Sequence, residues 1–175
     1  LSPYYLDEED AQHFHQSQKD AADPHGTELY PRFKKACDEY FRNHHRQEGR
    51  GIGGTFFDYL KADQERNLED WFAFTTDMGR SFLPSYLPIV EKHKATPWTE
   101  EQRYWQELRR GRYVEFNLVH DRGTLFGLRT NGRTESILMS LPPRVRWDYN
   151  VEPQPGSPEA QLVAVLREPI DWIKS

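Results

Sequence analysis

The chain has 175 residues, 36% hydrophobic and 29% charged, with a net charge of −5, which suits one domain with a sizeable core and leaves too little for a second. No run of about eighteen apolar residues and no signal-peptide pattern occurs, so membrane insertion and secretion lack support and a cytoplasmic location is expected. Cys37 is the only cysteine, which excludes an intrachain disulfide, a zinc finger and a Cys-rich iron-sulfur site.

The first residues, 1-LSPYYLDEED, lack an initiator methionine, and a fragment or a processed piece of a longer protein is expected. Asp7 is placed to cap a helix whose first turn holds Glu8, Glu9 and Asp10, running to about Ala22 and stopping at 23-DPHG-26. A second helix is predicted over roughly 28–43, where Leu29, Phe33, Cys37 and Tyr40 recur at helical spacing, with Pro31 tolerated in its first turn. The glycine-rich 49-GRGIGG-54 matches neither phosphate-binding glycine pattern and is read as a flexible approach to a short buried strand at about 54–59. Helices follow at about 65–79 and 81–94, the latter interrupted or restarted near Pro84 and Pro88. Thr99 with Glu101 and Gln102 opens a further helix in a capping-box arrangement, and Gly111 is read as its stop.

From 113-YVEFNLVH-120 the pattern alternates. Val114, Phe116, Leu118 and His120 fall on one face of a strand, and Tyr113, Glu115, Asn117 and Val119 on the other. With a turn at 121-DRGT-124, a strand at 124–130, a hairpin at 131-NG-132, a strand to about Leu141 and a fourth at 145–151, an antiparallel meander is expected. Ser157 and Pro158 begin a final helix that Pro169 ends, and the tail 170-IDWI-173 is expected to dock. Helices, then a sheet, then a closing helix predict an α+β fold with an antiparallel sheet flanked by helices.

Charge is unevenly spread. Residues 1–30 hold seven acids and one base, whereas residues 103–146 hold nine arginines, no lysine and four acids. Arginine offers a planar fork matched to carboxylate or phosphate. An acidic chain without a nucleic-acid-binding motif argues against DNA or RNA, so the arginines are either a solvated face or grips for the carboxylates of one ligand. Asp121 and Arg122, amid Arg112, Arg129, Arg133, Arg144 and Arg146, are the candidates for such a site. His13 and His15 stand about 200° apart on a helix and cannot both ligate one ion, although either is able to pair with His44 or His45. Ordinary interhelix or surface histidines are the simpler reading.

The segments 7-DEEDAQHFHQ-16, 30-YPRFKKACDEYF-41, 50-RGIGGTFFDYL-60, 109-RRGRYVEFNLVHDRGTLFGLRTNGRTESILMSLPP-143 and 156-GSPE-159 resemble the aerobic, oxygen-dependent coproporphyrinogen III oxidases, and the likeness spans essentially the whole chain. Ala36, usually tryptophan in that family, and Tyr59, commonly aspartate, depart from its pattern. The resemblance implies part of that family's fold, with residues 1–175 as the C-terminal part of a single domain whose N-terminal part is absent. It implies oxidative decarboxylation of the ring A and B propionates of coproporphyrinogen III to vinyl groups, giving protoporphyrinogen IX in haem biosynthesis. Molecular oxygen is the oxidant, no organic cofactor is needed, and a divalent metal has been claimed for some bacterial members. By position, Asp121 and Arg122 match residues implicated in catalysis, and Asn131, Gly132 and Arg133 match a substrate-contacting loop. Residues 113–147 match a dimerisation segment, so a homodimer is implied, and His15 and His45 match proposed metal ligands. No residue matches the family's proton-donor histidine or the nearby Asn-x-Arg segment. A noncatalytic dimerisation or scaffold fragment is the alternative reading, and an unrelated metal-dependent enzyme using His15 and His45 a minor third.

Overall fold

A computed structural model describes residues 1–173. The Asp7 carboxylate accepts from the Asp10 amide at 3.0 Å and caps α1 (Glu8–Ala22), whose buried Ala11, Phe14, His15 and Ala22 recur at helical spacing. A 3-10 turn at Asp23–His25 with Pro24 at its start closes that helix, and α2 (Leu29–Tyr40) turns Leu29, Tyr30, Phe33 and Cys37 inward. Two very short strands follow, β1 (Arg42–Asn43) and β2 (Glu48–Gly49), paired antiparallel with Arg42 opposite Gly49 and Asn43 opposite Glu48. The class is therefore α+β with a small antiparallel sheet flanked by helices, as predicted, but the sheet lies at 42–49. Residues 54–59, expected as a strand, carry no regular structure and run past α2, where the Phe56 amide donates to the Phe33 carbonyl at 3.0 Å.

The break expected near Pro84 and Pro88 does not occur. One helix, α3 (Leu68–His93), contains both prolines and starts at a full capping box between Asn67 and Asp70. Pro88 has no N–H to give the Pro84 carbonyl four residues earlier, and His13 of α1 supplies the missing partner through Nε2 at 3.1 Å. A neighbouring side chain thus satisfies the group that proline orphans.

The four-stranded meander expected over 113–151 is not formed. Thr99 caps α4 (Glu100–Val119), which continues through 113–119, and α5 (Arg122–Arg129) and α6 (Thr134–Leu138) follow. Gly111 is no stop: a Cβ there would lie 2.6 Å from the Arg146 carbonyl, where the returning chain crosses α4 and the Arg146 amide bonds the Glu107 carbonyl. Glycine is needed for close approach of two backbones. At 131-NG-132, Asn131 takes a φ of 58°, the left-handed value a hairpin would also demand. Here it ends a helix, since the Gly132 amide bonds the Gly127 carbonyl at 2.9 Å and the Asn131 amide bonds that of Leu128 at 3.4 Å, which is the Schellman arrangement.

Ser157 caps α7 (Pro158–Arg167) through the Ala160 amide. One core cluster joins Ala11, Ile52, Trp105, Leu108, Leu162, Leu166 and Trp172, and a second joins Leu29, Tyr30, Phe33, Trp71, Phe74 and Met78. The tail docks as expected, with Trp172 buried and stacked on His15. No helix among the described residues is long and apolar enough to cross a membrane.

Candidate functional site

Asp121 occupies the N-cap of α5. Its Oδ2 accepts from the Thr124 amide at 2.7 Å and the Thr124 hydroxyl at 2.8 Å, and its Oδ1 accepts from the Tyr40 hydroxyl at 3.2 Å. Partial burial pushes its pKa up, but these three donors outweigh that and hold it below the usual aspartate value. The carboxylate is therefore ionised, and Oδ1 retains a lone pair. The next residue turns outward: the Arg122 guanidinium lies 4.7 Å from the centre of the Tyr40 ring and 3.3 Å from Asp58 Oδ2, while its amide donates to the Tyr40 hydroxyl.

Tyr40 and Arg50 were not singled out by the sequence, and the fold brings both to Asp121. Tyr40 stacks on Phe56 at the end of α2. Arg50, just past β2, lies over the rings of Phe41, Tyr113 and Phe116 and donates to Asn117 Oδ1 at 3.3 Å. On α4 the positions 110, 113 and 117 share a face that leads to Asp121, a three- and four-residue spacing hidden by a strand reading of the same residues.

Asn131 and Gly132 end α5 and Arg133 begins α6, all three exposed. Among the arginines of the second half, Arg112 is taken up by Glu115 and Arg146 by Glu107 and Asp148, whereas Arg129 and Arg144 are exposed.

The two histidines expected as metal ligands lie in different settings. His15 is fully buried, with Nδ1 on the Tyr30 hydroxyl at 2.8 Å and Nε2 on the Ile52 carbonyl at 3.1 Å. Burial pushes its pKa down to about 4, so the ring is neutral. His45 is exposed and bridges Glu115 Oε2 at 2.8 Å and His120 Nε2 at 3.1 Å. The His120 and Asp121 side chains thus do not form a pair, since each has its own partners. Among the described residues, the donor atoms that converge with metal-ligand spacing belong to Asp7, Asp10 and His93. Two carboxylates and an imidazole suit a divalent cation, although the Lys92 ammonium sits 2.8 Å from both Asp7 and Asp10. These residues border a cleft of about 660 Å³ between the first segment, the end of α3 and the start of α4, to which Asp121, Arg122 and Asn131–Arg133 contribute nothing.

The model of the family described as coproporphyrinogen III oxidase matches residues 1–172. That span takes in both core clusters up to Trp172, the α4 face and the Asp121 cap. The chain belongs to the coproporphyrinogen III oxidase family.

Proposed function

We propose that this protein oxidatively decarboxylates two propionates of coproporphyrinogen III, using molecular oxygen. Each propionic acid side chain and one O2 give one vinyl group, one CO2 and one H2O2. A porphyrinogen presents pyrrole N–H donors at its centre and carboxylates at its edge, so it calls for a central acceptor and peripheral cations. The observation that carries this reading is the ionised Asp121, held by Thr124 and Tyr40 with Oδ1 still able to accept, beside the exposed Arg122. In this scheme Asp121 accepts a pyrrole N–H, and its charge stabilises the electron-poor ring as oxygen attacks. The peroxide formed on the ring takes a hydrogen from the propionate chain, and the carboxylate leaves as CO2. Arg122 and the loop of Asn131, Gly132 and Arg133 fix which propionate meets oxygen.

Asp121→Asn is the test, because asparagine is as good a helix cap as aspartate while removing the charge. In the complete enzyme it is expected to leave the melting temperature close to wild type and to lower turnover at saturating coproporphyrinogen III by roughly 100-fold or more. Near-normal turnover would end the assignment.

The same reading includes a homodimer through residues 113–147. Phe126, Met139 and Trp147 support it, being large apolar side chains left 68%, 80% and 52% exposed within that segment. Phe126→Asp is expected to shift the mass measured by light scattering from dimer to monomer, and an unchanged mass counts against that interface.

A further inference from the structure

We propose that Arg50 and Arg110 together form a carboxylate-binding site on the α4 face beside Asp121, with Tyr113 as its apolar floor. Charge accounting carries the inference. Of the other arginines that are at least half-buried, four meet a carboxylate among the described residues, Arg66 on Glu28, Arg103 on Glu107, Arg109 on Glu48 and Arg112 on Glu115, and Arg42 meets the Gln47 carbonyl at 2.9 Å. Arg50 has only the amide oxygen of Asn117 at 3.3 Å, and Arg110 has no acceptor among the described residues. Yet both are drawn to one ring, Arg110 at 4.0 Å and Arg50 at 4.9 Å from the centre of Tyr113.

Two like charges drawn to one ring repel each other, and partial burial removes much of the water that would screen them. The Asp121 carboxylate is committed to Thr124 and Tyr40. An anion from outside the described residues would satisfy both forks at once. The aromatic flanks set by Tyr113, Phe41 and Phe116 favour an acid group carried on an apolar ring over a fully hydrated ion such as inorganic phosphate. The site rests on the proposed function for the identity of that ring. If the substrate is a tetrapyrrole whose centre meets Asp121, Arg50 and Arg110 grip one of its propionates, at a position distinct from the 131–133 loop.

The test uses coproporphyrin III, the fluorescent oxidised form with four propionates, and its tetramethyl ester, which has none. Arg110→Gln, at the rim, and Arg50→Gln are each expected to weaken coproporphyrin III binding by roughly 10-fold or more, and Arg110→Lys to recover part of the loss. Ester binding is expected to be the same in wild type and variants. Because Arg50 packs on Phe41, thermal melts accompany each variant, and Arg110→Gln carries the test if Arg50→Gln unfolds. Unchanged coproporphyrin III affinity in Arg110→Gln overturns the site. A second probe, citrate, is followed through the arginine side-chain N–H resonances by NMR. If wild type binds neither porphyrin while citrate moves the Arg50 and Arg110 signals, the carboxylate site stands and the tetrapyrrole reading falls. If citrate leaves those signals in place as well, the site itself falls.

Discussion

On one side of α4, Arg109 and Arg112 close onto Glu48 and Glu115, and Glu115 is gripped as well by Arg46 and His45. On the other, Arg110 and Arg50 share the ring of Tyr113, and neither meets a carboxylate among the described residues. One helix therefore carries a satisfied electrostatic face and an unsatisfied one. A buried charge costs free energy unless it is paired, so a folded chain that leaves cations unpaired keeps room for an anion it does not itself provide. Arginine content alone does not distinguish the two faces, whereas the partner of each guanidinium does.

The comparison is broken most directly at Arg109. Its Nη1 lies 3.0 Å from Glu48 Oε1, with side-chain exposures of 8% and 6%. Arg109→Ala removes the hydrogen-bonded partner of the buried Glu48 carboxylate, leaving it only Arg112 at 3.9 Å, and is expected to cost about 3 kcal/mol of unfolding free energy in urea. The double substitution Arg109→Met, Glu48→Leu is expected to restore most of it, since no lone charge remains. Arg110→Ala, one residue along but facing the unpaired site, is expected to cost less than about 1 kcal/mol. Equal losses at 109 and 110 would mean that the two faces do not differ as their contacts indicate.

The same helix shows where the sequence could be read and where it could not. Its start was legible because a capping box is local: Thr99 and Gln102 exchange hydrogen bonds three residues apart, and Asp7 and Ser157 act over the same range. The continuation was not legible. In 113–120 apolar residues alternate and include β-branched and aromatic side chains, which satisfies a strand as well as a helix buried on several sides. What decides for the helix lies elsewhere in the chain, in the burial of Trp105, Leu108, Arg109 and Phe116 and in the chain crossing at Gly111. Of the Asn-Gly pair expected to form a hairpin, only Asn131 takes the left-handed value, and it ends a helix, because a left-handed residue serves a helix end and a hairpin equally. For the candidate site, the adjacent Asp121 and Arg122 were legible from the arginine excess around them and from motif likeness. Tyr40, 81 residues from Asp121, and Arg50, 67 residues from Asn117, needed tertiary structure.

The smaller expected effect lies in acid, at Glu115 on the satisfied face. Burial pushes its pKa up, but hydrogen bonds from Arg46 and His45 and the charge of Arg112 override this and bring it from 4.5 down to about 2. A carboxyl whose folded pKa is depressed adds stability above its unfolded pKa and loses it as pH falls through the folded one. Glu115 should therefore contribute fully above about pH 4.5 and progressively less down to about pH 2. The Arg46 and His45 side chains are 41% and 42% exposed, so solvent screens their part of the cluster. The contribution is expected at about 2 kcal/mol, below what the full pKa difference would give. Other acids titrate in the same range, so the informative quantity is the difference between wild type and Glu115→Gln in urea unfolding at pH 5 and pH 2.5. Wild type should be the more stable at pH 5, and the gap should close toward pH 2.5 as protonation removes what the substitution has already removed. A gap that stays constant would place the stabilisation in packing, and the satisfied face of α4 would then owe little to its charges.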